Sequence, residues 1–149
     1  MTWKLAAAVV ALAPLAITPA AAATGQSCKS FTEAEVKERF DRWNASLASG
    51  SADAVTLWYT PDAKVHLALK DKPAADQKAL RAFYEGAMIK GVKVELKDRK
   101  ITLGCNTATD QGRLVYRVGN ETVTADYRKV YENRDGVFLL KEHTSTRVQ

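Results

Sequence analysis

From Val92 onward the apolar residues recur at every second position, and this period restricts the second half of the chain to β-strands. Val92, Val94 and Leu96 alternate with Lys93, Glu95 and Lys97, and Ile101 and Leu103 carry the pattern towards Cys105. Turn residues divide the run at Gly112, at Gly119-Asn120 and at Asn133-Arg134-Asp135-Gly136. The predicted strands are Val92 to about Cys105, a brief pairing over Thr107 to Gln111, Arg113 to Val118, Val123 to Glu132, and Val137 to about Ser145.

The first half has a helical period. Thr32-Glu33-Ala34-Glu35 is a capping box, and Val36, Phe40, Trp43 and Leu47 follow as one apolar stripe that Gly50 ends. A short helix from about Ala52 to Trp58 follows, capped by Ser51, and Thr60-Pro61-Asp62-Ala63 reads as a turn. Lys64 to Leu69 alternates, with Val65, Leu67 and Leu69 opposite Lys64, His66 and Ala68, which predicts a strand. Ala75 to Ile89 is helical, with Leu80, Phe83, Tyr84 and Ala87 on one side, and Gly91 stops it. Helices followed by a run of strands predict an α+β fold. Its curved antiparallel sheet would wrap the N-terminal helices as a cone with an open end.

The N-terminus is a different kind of segment. Lys4 gives a short positive region, Leu5 to Ile17 is apolar, Thr18-Pro19 breaks the run, and Ala20 to Ala23 supplies small residues for cleavage. Residues 1–23 read as a secretory signal peptide cut near Ala22 or Ala23, leaving one domain over 24–149. The apolar run falls short of the roughly 20 residues a membrane span needs. A periplasmic or secreted location follows, with no membrane contact after cleavage. In such a compartment Cys28 and Cys105 are expected to pair. Closing that loop would contribute about 4 kcal/mol in the chain-entropy model. The net charge of +5 is spread over several segments, so no nucleic-acid partner is expected.

Several blocks occur in a recognisable order. They are Phe40-Asp41-Arg42-Trp43-Asn44 with Leu47 and Gly50, Leu57 with Tyr59-Thr60-Pro61-Asp62-Ala63, Gly104-Cys105-Asn106-Thr107-Ala108 with Asp110 and Gly112, Tyr127 to Tyr131, and Leu139-Leu140 with His143. On these blocks the chain resembles the NTF2-like (cystatin-like α+β) superfamily, SnoaL-like proteins included. Within it the chain is most similar to bacterial proteins like the association domain of calcium/calmodulin-dependent protein kinase II. The resemblance implies a cone-shaped fold, a small-molecule ligand pocket and a homodimer or higher homo-oligomer built through the sheet. Relatives of this fold include isomerases, dehydratases, hydrolases, polyketide cyclases and pure assembly modules, so the residues must decide the function.

Strand parity supplies the candidates. Tyr127, Lys129 and Tyr131 share one face of their strand, opposite Asp126, Arg128 and Val130. Simple alternation puts His143 with Val137, Leu139 and Lys141, opposite Phe138 and Leu140. Alternation does not say which face is concave; the resemblance favours the side of Lys129 and His143. His143 is the first candidate for a general acid or base, and Asp126 is the second. The plainer alternatives are a strand-end histidine and an ion pair of Asp126 with Arg117 or Arg128. His66 lies near the expected pocket mouth. Trp43, Tyr59, Tyr84 and Tyr116 would supply an apolar wall with hydroxyl donors, and Arg117, Arg128 and Lys129 could recognise a carboxylate. Two histidines without a His-x-His, Glu-x-x-His or Cys-x-x-Cys spacing predict no metal site, and no cofactor motif is present. The expected function is binding of a small organic ligand, an anion among the candidates, together with self-association. The alternatives are a cofactor-free isomerase, dehydratase or cyclase using His143 or Asp126, and an oligomerisation module without a ligand.

Overall fold

Thr32 opens the first helix as its spacing predicts. In the computed structural model, which describes residues 27–149, the Thr32 hydroxyl accepts from the Glu35 amide at 3.2 Å. The Glu35 carboxylate accepts from the Thr32 amide at 2.8 Å, which completes the capping box. The signal-peptide reading concerns residues outside those described. Helix α1 spans Glu33–Leu47 and buries Val36, Phe40, Trp43 and Leu47, the predicted stripe. Helix α2 spans Ala52–Thr56 with Ser51 as its cap, and ends before Trp58 because a strand starts at Tyr59. Helix α3 spans Gln77–Ile89 and starts after Asp76, whose carboxylate accepts from the Ala79 amide at 2.8 Å.

Five strands follow the order β1-β5-β4-β3-β2: β1 Tyr59–His66, β2 Lys93–Gly104, β3 Thr107–Val118, β4 Glu121–Arg134 and β5 Val137–Arg147. All pairs are antiparallel except β1 with β5, which run parallel. The helices precede strands β2 to β5 and line a curved sheet, as an α+β cone requires. Asp135 and Gly136, both at positive φ (53° and 85°), make the two-residue turn between β4 and β5.

Three local features depart from simple alternation. Thr60-Pro61-Asp62-Ala63 is not a turn; it lies inside β1, where pairing jumps from Tyr59↔Leu140 to Lys64↔Glu142. Pro61 is tolerated because β1 is an edge strand. Gly112 does not break β3, which runs through it to Val118. It faces a bulge in β2 between Leu96 and Asp98, and a Cβ on Gly112 would stand 2.2 Å from the Asp98 carbonyl oxygen. Gly112→Ala is therefore expected to cost about 1–3 kcal/mol, measured by urea unfolding. A second bulge lies in β5, where Val130 pairs with Glu142 but Tyr131 pairs with Leu140. The extra residue, Lys141, reverses the alternation, so Phe138 and Leu140 face inward together with His143 and Ser145.

Cys28 and Cys105 form a disulfide with Cα atoms 5.1 Å apart across 77 residues. The Lys29 amide also donates to Asn106 Oδ1 at 3.0 Å, which binds the N-terminal segment to the β2–β3 turn. Reducing this bond is expected to lower the unfolding free energy by about 3 kcal/mol, read as a drop in the urea midpoint.

Candidate functional site

The two bulges place a row of chemically active side chains on the concave face. In register across the sheet stand Ile101, Asp110, Lys129, His143 and Val65. One neighbouring row holds Arg99, Gly112, Tyr127 and Ser145; the other holds Leu103, Ala108, Tyr131, Leu140 and Tyr59. Asp110, Lys129 and His143 are all fully buried. Phe40 and Trp43 from α1 cover the row, and Tyr84 from α3 closes its β1 side.

Hydrogen bonds define the His143 end. Trp43 Nε1 donates to the Tyr59 hydroxyl at 3.1 Å. That hydroxyl lies 2.5 Å from the Tyr84 hydroxyl and 2.7 Å from His143 Nδ1. Both hydroxyl protons find an acceptor when Tyr84 donates to Tyr59 and Tyr59 donates to Nδ1. His143 is then the Nε2–H tautomer, and Nε2 has no partner. Burial, then the charge of Lys129, pushes the His143 pKa well below its usual value, so the ring is held neutral. Burial raises Tyr59 and Tyr84 as well, and Tyr116, whose hydroxyl donates to Ser145 Oγ at 3.2 Å, is pushed up to about 12.

A charged cluster defines the other end. Asp110 accepts from Arg99 Nη2 at 2.8 Å and Nε at 3.3 Å, and from the Tyr127 hydroxyl at 2.7 Å. The Arg99 side chain keeps 14% exposure, so this end reaches solvent. Lys129 lies between the two ends. Its Nζ sits 3.0 Å from the Trp43 ring centroid and 4.4 Å from that of Phe40, with no hydrogen-bond partner. Burial drives the Lys129 pKa well down, against the pull of Asp110 and with the help of Arg99. The Tyr131 hydroxyl, also buried, is unpartnered too.

These shifts have measurable consequences. The unfolded chain protonates Lys129 below its ordinary pKa of 10.5, whereas the folded chain resists protonation, so this residue destabilises the fold at neutral pH. Lys129→Met is expected to stabilise the protein by about 2 kcal/mol at pH 7 in urea unfolding. For His143 the folded pKa is depressed, so its contribution is complete above the unfolded value of 6.5 and is lost as pH falls below it. The expected slope is up to about 1.4 kcal/mol per pH unit below pH 6.5. It should shrink in His143→Gln.

The structure brings together Trp43, Tyr59, Tyr84, Tyr116, Lys129 and His143 in the cone. It takes four other candidates out of it. Asp126 is exposed on the outer face and pairs with Arg113 at 2.9 Å, rather than with Arg117 or Arg128. Arg117 pairs with Glu95 at 3.4 Å and Arg128 with Glu142 at 2.5 Å, both exposed. His66 points out beside Pro61, Pro73 and Thr144 in a surface groove of about 440 Å³. The aromatic side chains fill the cone, and surface grooves of about 360, 440 and 510 Å³ are lined by none of the interior polar groups. Sequence reasoning missed Asp110 and Arg99. Asp110 reads as a turn cap only if Gly112 ends the strand; with β3 continuous, it shares parity with Ala108 and Leu114. Arg99 sits in a run of alternating charges, and only the β2 bulge turns it inward.

No model of a known protein family matches the sequence, and no curated protein does. Solved structures do match. A protein from Xanthomonas campestris, provisionally named a calcium/calmodulin-dependent protein kinase II association domain, superposes with a TM-score of 0.72 at 29% identity. The match covers 76% of this chain and 86% of that one. An NTF2-like protein with a cystatin-like fold from Novosphingobium aromaticivorans gives a TM-score of 0.65 at 17% identity, covering 78% and 81%. The chain has the NTF2-like fold. A further match, from Novosphingobium aromaticivorans and provisionally named a scytalone dehydratase, gives a TM-score of 0.62 at 14% identity, covering 76% and 82%. At that identity the likeness concerns the fold alone.

Proposed function

We propose that this NTF2-like domain binds a small organic anion, of the carboxylate class, inside the cone. One observation carries the reading: Lys129 and His143 pair in register on adjacent strands, and Lys129 Nζ and His143 Nε2 are both wholly buried and without hydrogen-bond partners. Buried donors are normally satisfied, and each left open costs about 1–3 kcal/mol. Nε2–H is a donor in that tautomer, and Lys129 Nζ can donate in either protonation state, so one acceptor satisfies both. Arg99 and Lys129 against Asp110 leave one excess positive charge when Lys129 is protonated, which a single anion neutralises. The ligand would enter at the solvent-touching Arg99 end and displace the Trp43 ring from Lys129.

A thermal-shift panel of small carboxylates on the oxidised protein tests this. A ligand present at 100 times its Kd should add about 2.7 kcal/mol of stability. The shift should vanish in Lys129→Met and weaken in His143→Gln. A panel without any shift, or shifts unchanged in both variants, would sink the reading.

An enzyme reading keeps His143, neutral and oriented by Tyr59, as its acid or base; it loses Asp126, which is outside the cone. The likeness to proteins provisionally named a scytalone dehydratase and an aromatic ring hydroxylase adds context. Self-association through the sheet is supported by the likeness to the association-domain protein. An apolar outer sheet face would have favoured it, but that face carries the Arg113–Asp126, Arg117–Glu95 and Arg128–Glu142 pairs, so any sheet contact would be polar. A periplasmic or secreted location accords with the disulfide. Among the described residues no helix is long and apolar enough to cross a membrane.

A further inference from the structure

We infer that Lys129 is an amine nucleophile that forms an imine with a small 2-oxo acid held in the cone. This inference rests on the anion-binding reading and narrows its ligand to a carboxylate bearing an adjacent carbonyl.

A lysine kept as a solvated charge has no reactive lone pair. Lys129 is the opposite case: fully buried, roofed by Trp43 and Phe40, and hydrogen-bonded to nothing. Desolvation activates a lysine amine, and here burial supplies it; Arg99 adds to the effect and Asp110 opposes it. The charged and titratable groups around it are Arg99 on β2, Asp110 on β3, Tyr127 and Tyr131 on β4, His143 on β5, Tyr59 on β1 and Tyr84 on α3.

The neighbours divide the remaining tasks. Arg99 gives Nε and Nη2 to Asp110, leaving Nη1 for the substrate carboxylate. The Lys129 lone pair attacks the carbonyl carbon, forming a C–N bond. The carbonyl π electrons pass to oxygen, which takes the proton of His143 Nε2–H while the attacking nitrogen hands one of its own to Nε2, so the ring ends neutral. The C–O bond of the resulting carbinolamine then breaks while nitrogen forms the C=N bond. Both amine hydrogens end on the departing oxygen, so amine plus oxo acid yields imine plus water, with no oxidant or reductant consumed.

The test treats the oxidised protein with pyruvate and sodium borohydride, then maps the reduced adduct by peptide mass spectrometry. A saturable adduct on Lys129, lost in Lys129→Met and slowed by lactate, is the expected result. Lactate has the carboxylate without the carbonyl, so it competes and cannot be trapped. Trp43→Phe lightens the roof without removing a reacting group, and should speed the labelling. His143→Gln keeps a donor but cannot relay the proton, and should slow it. Label confined to exposed lysines would overturn the inference. If lactate still raised the melting temperature through Lys129, anion binding would survive and only the imine chemistry would fall. If neither compound had an effect through Lys129, both would fall.

Discussion

Trp43→Ala is expected to lower the unfolding free energy by about 4 kcal/mol. The indole is 1% exposed and contributes three kinds of contact at once. It packs edge-on against His143 with ring centroids 5.1 Å apart, it covers Lys129 Nζ, and it donates to the Tyr59 hydroxyl. Deleting it leaves a cavity and removes the aromatic face that covers Lys129 Nζ. Guanidinium unfolding measures the loss. Trp43→Phe retains a ring but not the hydrogen bond, and should lose less than half as much. Equal losses in the two variants would mean that the hydrogen bond to Tyr59, rather than packing, carries the contribution.

Asp110→Ala has the second large effect, about 3 kcal/mol of destabilisation. Asp110 is the one carboxylate among the fully buried residues described, and it accepts from Arg99 and from Tyr127. Removing it strands a guanidinium that is only 14% exposed and leaves the Tyr127 hydroxyl without its acceptor. Lys129 also loses the one group that favours its charged form. The double variant Asp110→Ala with Lys129→Met should therefore lose less than the sum of the single effects. The difference, read from a double-mutant cycle, is the coupling between the two residues. Strict additivity would show that Asp110 serves only Arg99 and Tyr127.

The residues that were legible in the sequence share a physical reason. Helix α1 was readable because its cap and its stripe are local: Thr32 and Glu35 lie three residues apart, and Val36, Phe40, Trp43 and Leu47 follow one helical period. The same holds for the hairpin at Gly119-Asn120. The pairing of Cys28 with Cys105, 77 residues apart, was readable for another reason: the chain has two cysteines. The site was half legible. Alternation in β4, which has no bulge before Val130, grouped Lys129 with Tyr127 and Tyr131, and the resemblance picked that face as the concave one. His143 was on the inner face, but in the wrong company. Alternation separated it from Leu140, and the Lys141 bulge unites them. Arg99 was hidden for the same reason in β2. A bulge is a non-local decision, made by the partner strand's register and by a glycine that lets the backbones approach. Gly112 was the visible trace of it, read as a break because a glycine alone signals either.

The charged outer face has the same lesson in reverse. Asp126, Arg117 and Arg128 are attractive as chemistry and ordinary as structure, because neighbouring strands supply opposite charges at each position. Exposed pairs of this kind contribute about 0–1 kcal/mol and bind little. The fully buried Lys129 and His143 have no such explanation, which is why the functional reading rests on them.

The most direct test of that reading is nitrogen-15 NMR of His143 and Lys129 while a small carboxylate is titrated into the oxidised protein. The account predicts a neutral Nε2–H ring in the free protein. On binding, the Nε2–H signal should move downfield as it gains an acceptor, and the Lys129 signal should report a gained proton. A free-state Nδ1–H tautomer, or two signals unmoved by a carboxylate that raises the melting temperature, would contradict it.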